Sequence, residues 1–343
     1  MSEETVPPTP QRDIKASHVA REWKYSAPLV SCRYDPTGRY LLAGSMDFTI
    51  QRWDLQEDLH ASFAGHQSWL RGIGFSADGQ QLYSAGYEGK LCFWDATTLP
   101  SDGQPVKPTR QIDAHKSWIR WLAMHPNGQL LATAGNDLKV KLWSTETGDL
   151  IQTLEGHEKH IYSLIFHPNG EALLSGDLQG VVNQWELSTG KLVRTFDAKP
   201  LHAYKNGWEV DYGGVRCMTF SPDGQLLACG GLHKATNAFA GEQEPLVLVF
   251  DWESGQQVRT HETTGIPRGI VWRLVYEDDG TLVGGIGGDT SFLVFWNEEQ
   301  TEIHKMKMPN TAHDMDRHPH DISLATAHHD GYLRITRMEQ KDV

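Results

Sequence analysis

Between His115 and Trp143 the chain reads HKSWIRWLAMHPNGQLLATAGNDLKVKLW, and four of its side chains have types that could act together: His115, Thr133, Asp137 and Trp143. A histidine with a hydroxyl and a carboxylate is the set of a hydrolytic triad, in which the imidazole takes the hydroxyl proton and the carboxylate orients the imidazole. The grouping recurs, however, around His66, Ser84 and Trp94, and again around His157, Ser175 and Trp185. An active site occurs once in a chain, so repetition argues for a structural role.

Other reactive patterns carry less. Seventeen histidines are present, five of them near the end: His313, His318, His320, His328 and His329. A zinc ion needs ligands at about 2.0–2.2 Å. The strand reading below puts His318 and His320 in a turn at one end of their unit, and His328 and His329 in a loop at the other. The run GGIGGDTS (284–291) superficially resembles a phosphate loop but lacks the third spaced glycine, the lysine and the following helix, and reads as a strand ending in a turn. No GxSxG, HExxH or CxxC motif occurs, and the carboxylates are scattered through turns without a discernible acid/base pair. No catalytic residue, metal or cofactor is expected.

The elements that position these residues are set by a repeated turn. It appears as DPTG (35–38), SADG (76–79), HPNG (125–128), HPNG (167–170), SPDG (221–224), EDDG (277–280) and, degraded, HPHD (318–321), with successive copies 41, 49, 42, 54, 56 and 41 residues apart. Proline presets φ, Asn or Asp closes the turn locally, and glycine takes a positive φ, so each copy joins two antiparallel strands. His125 and His167 read as fillers of the first turn position. Fifteen residues after the turn's last position stand Trp53, Trp94, Trp143 and Trp185; Trp296 lies sixteen after its turn, Thr336 fifteen after the last, and Phe250 takes the place in the fifth unit. Turn, two β-rich segments and a fourth segment after the Trp make four short strands per unit. A period of 41 to 56 residues built this way reads as a propeller blade.

With Gly65-His66 and Trp94-Asp95 in the second unit, Ala114-His115 and Trp143-Ser144 in the third, and Gly156-His157 and Trp185-Glu186 in the fourth, the chain resembles the WD-repeat family over about residues 14 to 340. The resemblance implies an all-β fold, a seven-bladed β-propeller of four-stranded antiparallel blades. It also implies a hydrogen-bonded network in each blade. The third blade carries the full set, His115, Thr133, Asp137 and Trp143. The second has His66, Ser84 and Trp94, with Glu88 in place of Asp, and the fourth has His157, Ser175 and Trp185, with Gln179 there. The first blade keeps Asp47 and Trp53 but has Tyr25 and Ala43; the seventh keeps Thr326 and Asp330 without His or Trp; the fifth and sixth show no network. Physical chemistry supports the assignment, because an unpaired buried polar group costs about 1–3 kcal/mol and these groups can satisfy one another. Blades two to four are expected to be the most rigid.

The last unit stops after its third strand, whereas SHVAREWKYS (17–26) has no partner of its own. An open sheet edge invites aggregation, so residues about 15–24 are predicted to close the ring as the outer strand of blade seven. Residues 1–13 are expected to be a disordered tail, and 14–340 one domain. The tail lacks the pattern of a signal peptide, and no run of apolar residues is long enough to span a membrane. The four cysteines, Cys32, Cys92, Cys217 and Cys229, sit in strand-like runs without metal or disulfide spacing. Cytoplasm is the expected compartment. A formal charge of −13 makes nucleic acid and anionic lipid poor partners.

Blade faces pack on one another, so recognition falls to loops. Trp69, Trp118 and His160 stand just before the inner strands of blades two to four, with Tyr87 and Asn136 in the neighbouring turns, all on the end of the ring that WD-repeat proteins customarily use. Either the Trp rings form a contact patch, or they fold inward and plug the channel. Two blade-five insertions, at about 197–214 and 231–245, belong to the same end. The first carries His202, Tyr204, Trp208 and Tyr212 and could form a flap. Arg71, Arg120, Lys205 and Lys234 near this end make acidic peptides conceivable partners. The long loop at 97–111 reads as a flexible connection. A non-enzymatic scaffold for a protein or peptide partner, acting as a monomer or as a subunit of a hetero-complex, is the expected function. The alternative is a ligand-binding or catalytic propeller using the channel mouth near the blade-five insertions.

Overall fold

The computed structural model describes residues 12–99, 103–207, 209–236, 242–263, 265–266, 268–299 and 302–341. Six of the seven repeated turns end in a glycine whose φ lies between 70 and 83°. In each of them the glycine N–H donates to the carbonyl of the first turn residue at 2.8–3.0 Å. That φ is strained for any residue with a Cβ, which accounts for the sequence ruler. The degraded seventh turn has Asp321 in the last position, without a positive φ.

Every turn joins the two innermost strands of a four-stranded antiparallel sheet, and seven such sheets form the ring. Blade three is representative, running from the axis outward through Ile119–Met124, Leu130–Gly135, Lys139–Ser144 and Leu150–Glu155. The hydrophobic residues of the described chain gather in seven clusters, each spanning two consecutive blades. One joins Leu42, Ile50 and Phe63 of blade one to Leu82, Cys92 and Trp94 of blade two. The core is thus a set of radial seams rather than a central mass. This follows from strands with both faces covered, at roughly 25 cal/mol per Å² of apolar surface removed from water.

The ring closes as the sequence predicts. Residues His18–Lys24 pair antiparallel with Tyr332–Arg337, from His18 opposite Arg337 to Lys24 opposite Tyr332. Closure is reinforced at the axis, where Asp314 and Asp316 of blade seven accept the backbone N–H groups of Cys32 and Tyr34 of blade one at 3.1 and 2.9 Å. Arg33 adds an ion pair with Asp316 at 2.8 Å. Of the expected tail, residues 1–11 lie outside the described residues. Arg12 is placed against blade six, pairing with Glu277 at 3.0 Å and with Asp279, and the Asp13 N–H donates to the Met338 carbonyl.

Two expectations are corrected. His125 and His167 are more than fillers: their Nε2 atoms donate to the carbonyls of Gly170 and Gly224 in the next blade at 2.8 and 3.1 Å, and His318 does the same to Gly38 across the closing seam at 3.1 Å. Each such histidine staples its turn to the neighbouring one. The loop at 97–111 is likewise more than a connection. Val106 is buried and bridges Phe63, exchanging backbone hydrogen bonds with Ser62 and Ala64, so it covers the outer edge of blade one. The glycine-rich run 284–291 ends the second strand of blade six at Gly287 and turns into the third, which starts at Ser291; a Cβ on Gly284 would meet the Trp296 ring at 2.7 Å.

Candidate functional site

In blade three His115 Nδ1 donates to Asp137 at 2.8 and 2.9 Å, the Thr133 hydroxyl bonds His115 Nε2 at 2.8 Å, and Trp143 Nε1 donates to Thr133 at 2.8 Å. The carboxylate accepts from Nδ1, the hydroxyl pairs with Nε2, and the same hydroxyl oxygen accepts from the indole, so every buried polar group of the set has a partner. Burial alone would lift the Asp137 carboxyl, but the interactions with His115, the Lys139 N–H and the Lys141 charge together outweigh it and hold the group below the usual carboxylate range. Blade two repeats the set with His66, Ser84 and Trp94, with Glu88 accepting from Nδ1. Ser84, Thr133 and Ser175 are fully buried, with their oxygens engaged by tryptophan, so they are structural hydroxyls that no substrate reaches.

Blade four departs from expectation. The acceptor for His157 is Asp177, at 2.9 Å, and not Gln179; Ser175 bonds His157 at 2.6 Å and Trp185 at 2.7 Å. Asp177 lies two residues after Ser175 on one strand, so both side chains project from the same face. Its other oxygen accepts the N–H groups of Gln179 and Val181. Blade seven uses the same i, i+2 device. His328, expected in a loop, ends the strand Ser323–His328 and bonds Thr326 at 2.8 Å, while its Nδ1 donates to the Asn310 carbonyl at 2.9 Å. Asp330 is instead held by Arg334. In blade one the Tyr25 hydroxyl donates to Asp47 at 2.6 Å.

With the polar groups of the blades turned inward, the loop ends carry what remains for recognition. The residue preceding each inner strand is tied by its carbonyl to the turn after the second strand: Tyr87 N–H donates to Trp69, Asn136 to Trp118 and Leu178 to His160 at 2.8–3.0 Å. These bonds bring the predicted residues of blades two to four onto one end of the ring. Tyr87 stacks on Trp118 with ring centroids 4.9 Å apart and an 8° interplanar angle, and Trp69 leans against Tyr87 at 6.4 Å. Trp69 and Trp118 are 45% and 47% exposed, so both rings stand on the surface and do not fill the channel. Asn136 is half-buried and accepts from Arg120 Nε at 2.5 Å. Burial, together with the nearby charges of Arg120 and Lys159, pushes the half-buried His160 below its ordinary value.

The first blade-five insertion folds as a hairpin, with His202–Lys205 paired to Val210–Gly213. His202 bonds Asp211 at 2.8 Å, and Lys159 of the preceding loop reaches the same carboxylate at 3.1 Å. His202 and Tyr212 are half-buried on opposite faces of the hairpin, while Tyr204 is 51% exposed. Trp208 lies outside the described residues. The second insertion extends two strands to Leu226–His233 and Glu244–Asp251, and Lys234 is paired there with Glu244.

What fills the channel mouth was only half legible. The inner strands of blades two, three, four and six carry a β-bulge near their start, where register shifts by one at Arg71, Arg120, Tyr162 and Trp272. A bulge re-aims its side chain, here toward the axis. The Arg71 guanidinium of blade two lies 4.9 Å from the Trp272 ring of blade six, a contact across the channel. Arg216, just before the inner strand Cys217–Phe220 of blade five, sits over Tyr162 at 4.1 Å and Trp272 at 5.8 Å. Sequence reading named Arg71 and Arg120 but missed Tyr162, which stands two places after His160 as Arg71 and Arg120 stand after Trp69 and Trp118, and it missed Arg216 and Trp272.

Seven four-stranded blades with repeated His–hydroxyl–Trp networks define a propeller of the repeat class. A family model described as "WD domain, G-beta repeat" matches residues 21–54, 57–95, 106–144, 148–186 and 199–234, together just over half of the chain. The chain belongs to the WD-repeat family. Among curated relatives, nuclear distribution protein PAC1 of Arthroderma otae is 29% identical over 92 residues, which is 26% of this chain and 19% of the relative. Nuclear distribution protein nudF 2 of Aspergillus clavatus is 33% identical over 92 residues, 26% of this chain and 20% of the relative. The matches span about a fifth of these relatives' length.

Proposed function

We propose that the protein is a non-enzymatic scaffold that captures a protein or peptide partner on the loop face carrying Trp69, Tyr87 and Trp118. The observation that supports this reading is the exposed three-ring run, two of whose members are half exposed on rigid, backbone-tied positions. Large rings held in place lose little conformational entropy on binding, and Trp and Tyr are favoured hot-spot residues. Asn136, His160 and Tyr204 border the run, and the hairpin of blade five extends the face on one side. Trp208 is counted with that face on sequence grounds. His202 and Tyr212 act through the hairpin's placement. The nuclear distribution proteins matched by part of the chain are consistent with a role in a protein assembly. The four cysteines, all buried and free, suit a reducing compartment, and the cytoplasm is proposed.

The test is affinity purification with mass spectrometry of the wild type and of a Trp69→Ala/Tyr87→Ala/Trp118→Ala variant with an unchanged melting temperature. With even one of the three rings a hot spot, their loss should weaken a specific partner by roughly 30-fold or more. Full recovery of every partner by the folded variant would sink the proposal.

A further inference from the structure

At the mouth of the channel, three arginines from three blades converge on a narrow space walled by Tyr87, Tyr162 and Trp272. Arg71 donates to the His313 carbonyl at 2.7 Å and Arg120 to Asn136 at 2.5 Å. The Arg216 guanidinium has no hydrogen-bond acceptor among the described residues, and its Nε is shielded from solvent. Among the described residues none of the three is ion-paired, although the chain carries a formal charge of −13 and forms ion pairs from the loops to the lower channel. Three uncompensated guanidiniums at one axial point on an acidic protein are an electrostatic exception.

We infer that this collar receives a carboxylate side chain, an aspartate or glutamate of the protein segment that lies across the Trp69–Tyr87–Trp118 run. The inference rests on the loop-face reading above and names the partner's chemistry. Arg120 connects the two parts, since its guanidinium lies 5.2 Å from the Trp118 ring, 5.7 Å from Tyr87 and 4.5 Å from Tyr162. A guanidinium stacked on a ring keeps its N–H edge free, and that edge matches a planar carboxylate bidentately. Flat walls on several sides suit a planar acceptor better than a tetrahedral phosphate. Burial, with Arg120 and Arg71 nearby, disfavours the charge on Arg216, a penalty that an incoming anion relieves. The net charge of −13 on the whole chain repels a polyanion, so a single acidic residue flanked by apolar neighbours fits, whereas a nucleic acid does not.

The experiment selects phage-displayed random peptides on the full chain and then measures binding of the selected peptides to wild type, Trp118→Ala, Arg216→Gln and Arg71→Gln. The expected peptides lose affinity for Trp118→Ala and contain one Asp or Glu whose change to the amide weakens binding by about tenfold or more. On Arg216→Gln the same loss appears and the acid-to-amide change no longer matters; Arg71→Gln serves if that variant does not fold. Peptides that need Trp118 but tolerate both the amide and the arginine variants would overturn the collar and leave the loop-face reading standing. Peptides indifferent to Trp118→Ala, or none selected, would overturn the loop-face reading and the collar with it. A phosphoserine that outbinds aspartate at the acidic position by about tenfold would overturn the choice of carboxylate.

Discussion

His328 offers a quantitative test of the network logic. It is fully buried at the end of its strand, accepts from Thr326 at Nε2 and donates from Nδ1 to the Asn310 carbonyl, so the fold selects the neutral ring. Burial first, and then the positive charge of Arg334, push its imidazole down from the ordinary 6.5 to about 4, against the smaller opposing pull of the Asn310 carbonyl and Asp330. The unfolded chain then binds more protons than the native one between those values, so stability present above pH 6.5 is lost as pH falls toward 4. At about 1.36 kcal/mol per pKa unit the loss approaches 3 kcal/mol. A His328→Gln variant keeps an amide donor and an acceptor but does not titrate. It should be less stable than wild type at neutral pH by about 1–2 kcal/mol. The gap should close, and then reverse, on acidification. Urea midpoints for both proteins between about pH 7 and pH 4 measure this directly. Parallel pH profiles, with a constant gap, would refute the assignment of a buried neutral imidazole.

Two further outcomes follow from the fold. Removing residues 1–24 strips the outer strand from blade seven and should lower the melting temperature by about 10 °C or more, whereas removing residues 1–11 should leave it unchanged; equal melting curves would dismiss the latch. Asp177→Asn weakens the bonds to His157 and to the following turn and should cost about 2 kcal/mol or more, while Gln179→Ala should stay within about 0.5 kcal/mol. Chemical denaturation showing the opposite ranking would restore Gln179 as the acceptor in blade four.

Local chemistry was legible because its signals are local. Each turn needs a residue with positive φ, and six glycines mark the spots. Each indole N–H needs an acceptor, and the hydroxyl ten residues earlier supplies it in blades two to four. The missing fourth strand of the last unit and the spare strand at the start predicted the closure that the pairing of His18–Lys24 with Tyr332–Arg337 displays. Where two candidates lay close together the reading slipped. A fixed spacing chooses Gln179, while the alternation of strand faces delivers Asp177, and His328, read as a loop residue, is instead the last residue of its strand.

The rest depended on which blades become neighbours, a matter that no single repeat contains. His125, His167 and His318 look like turn residues until the next blade's glycine carbonyl is set beside each of them. Arg71 and Trp272 are some two hundred residues apart and meet only because a bulge turns each toward a shared axis. Repeat identity, turn chemistry and strand number were written in the chain, since each is satisfied within about forty residues. The staples, the seam and the cationic mouth belong to the closed circle, because only closure brings distant side chains within hydrogen-bonding range.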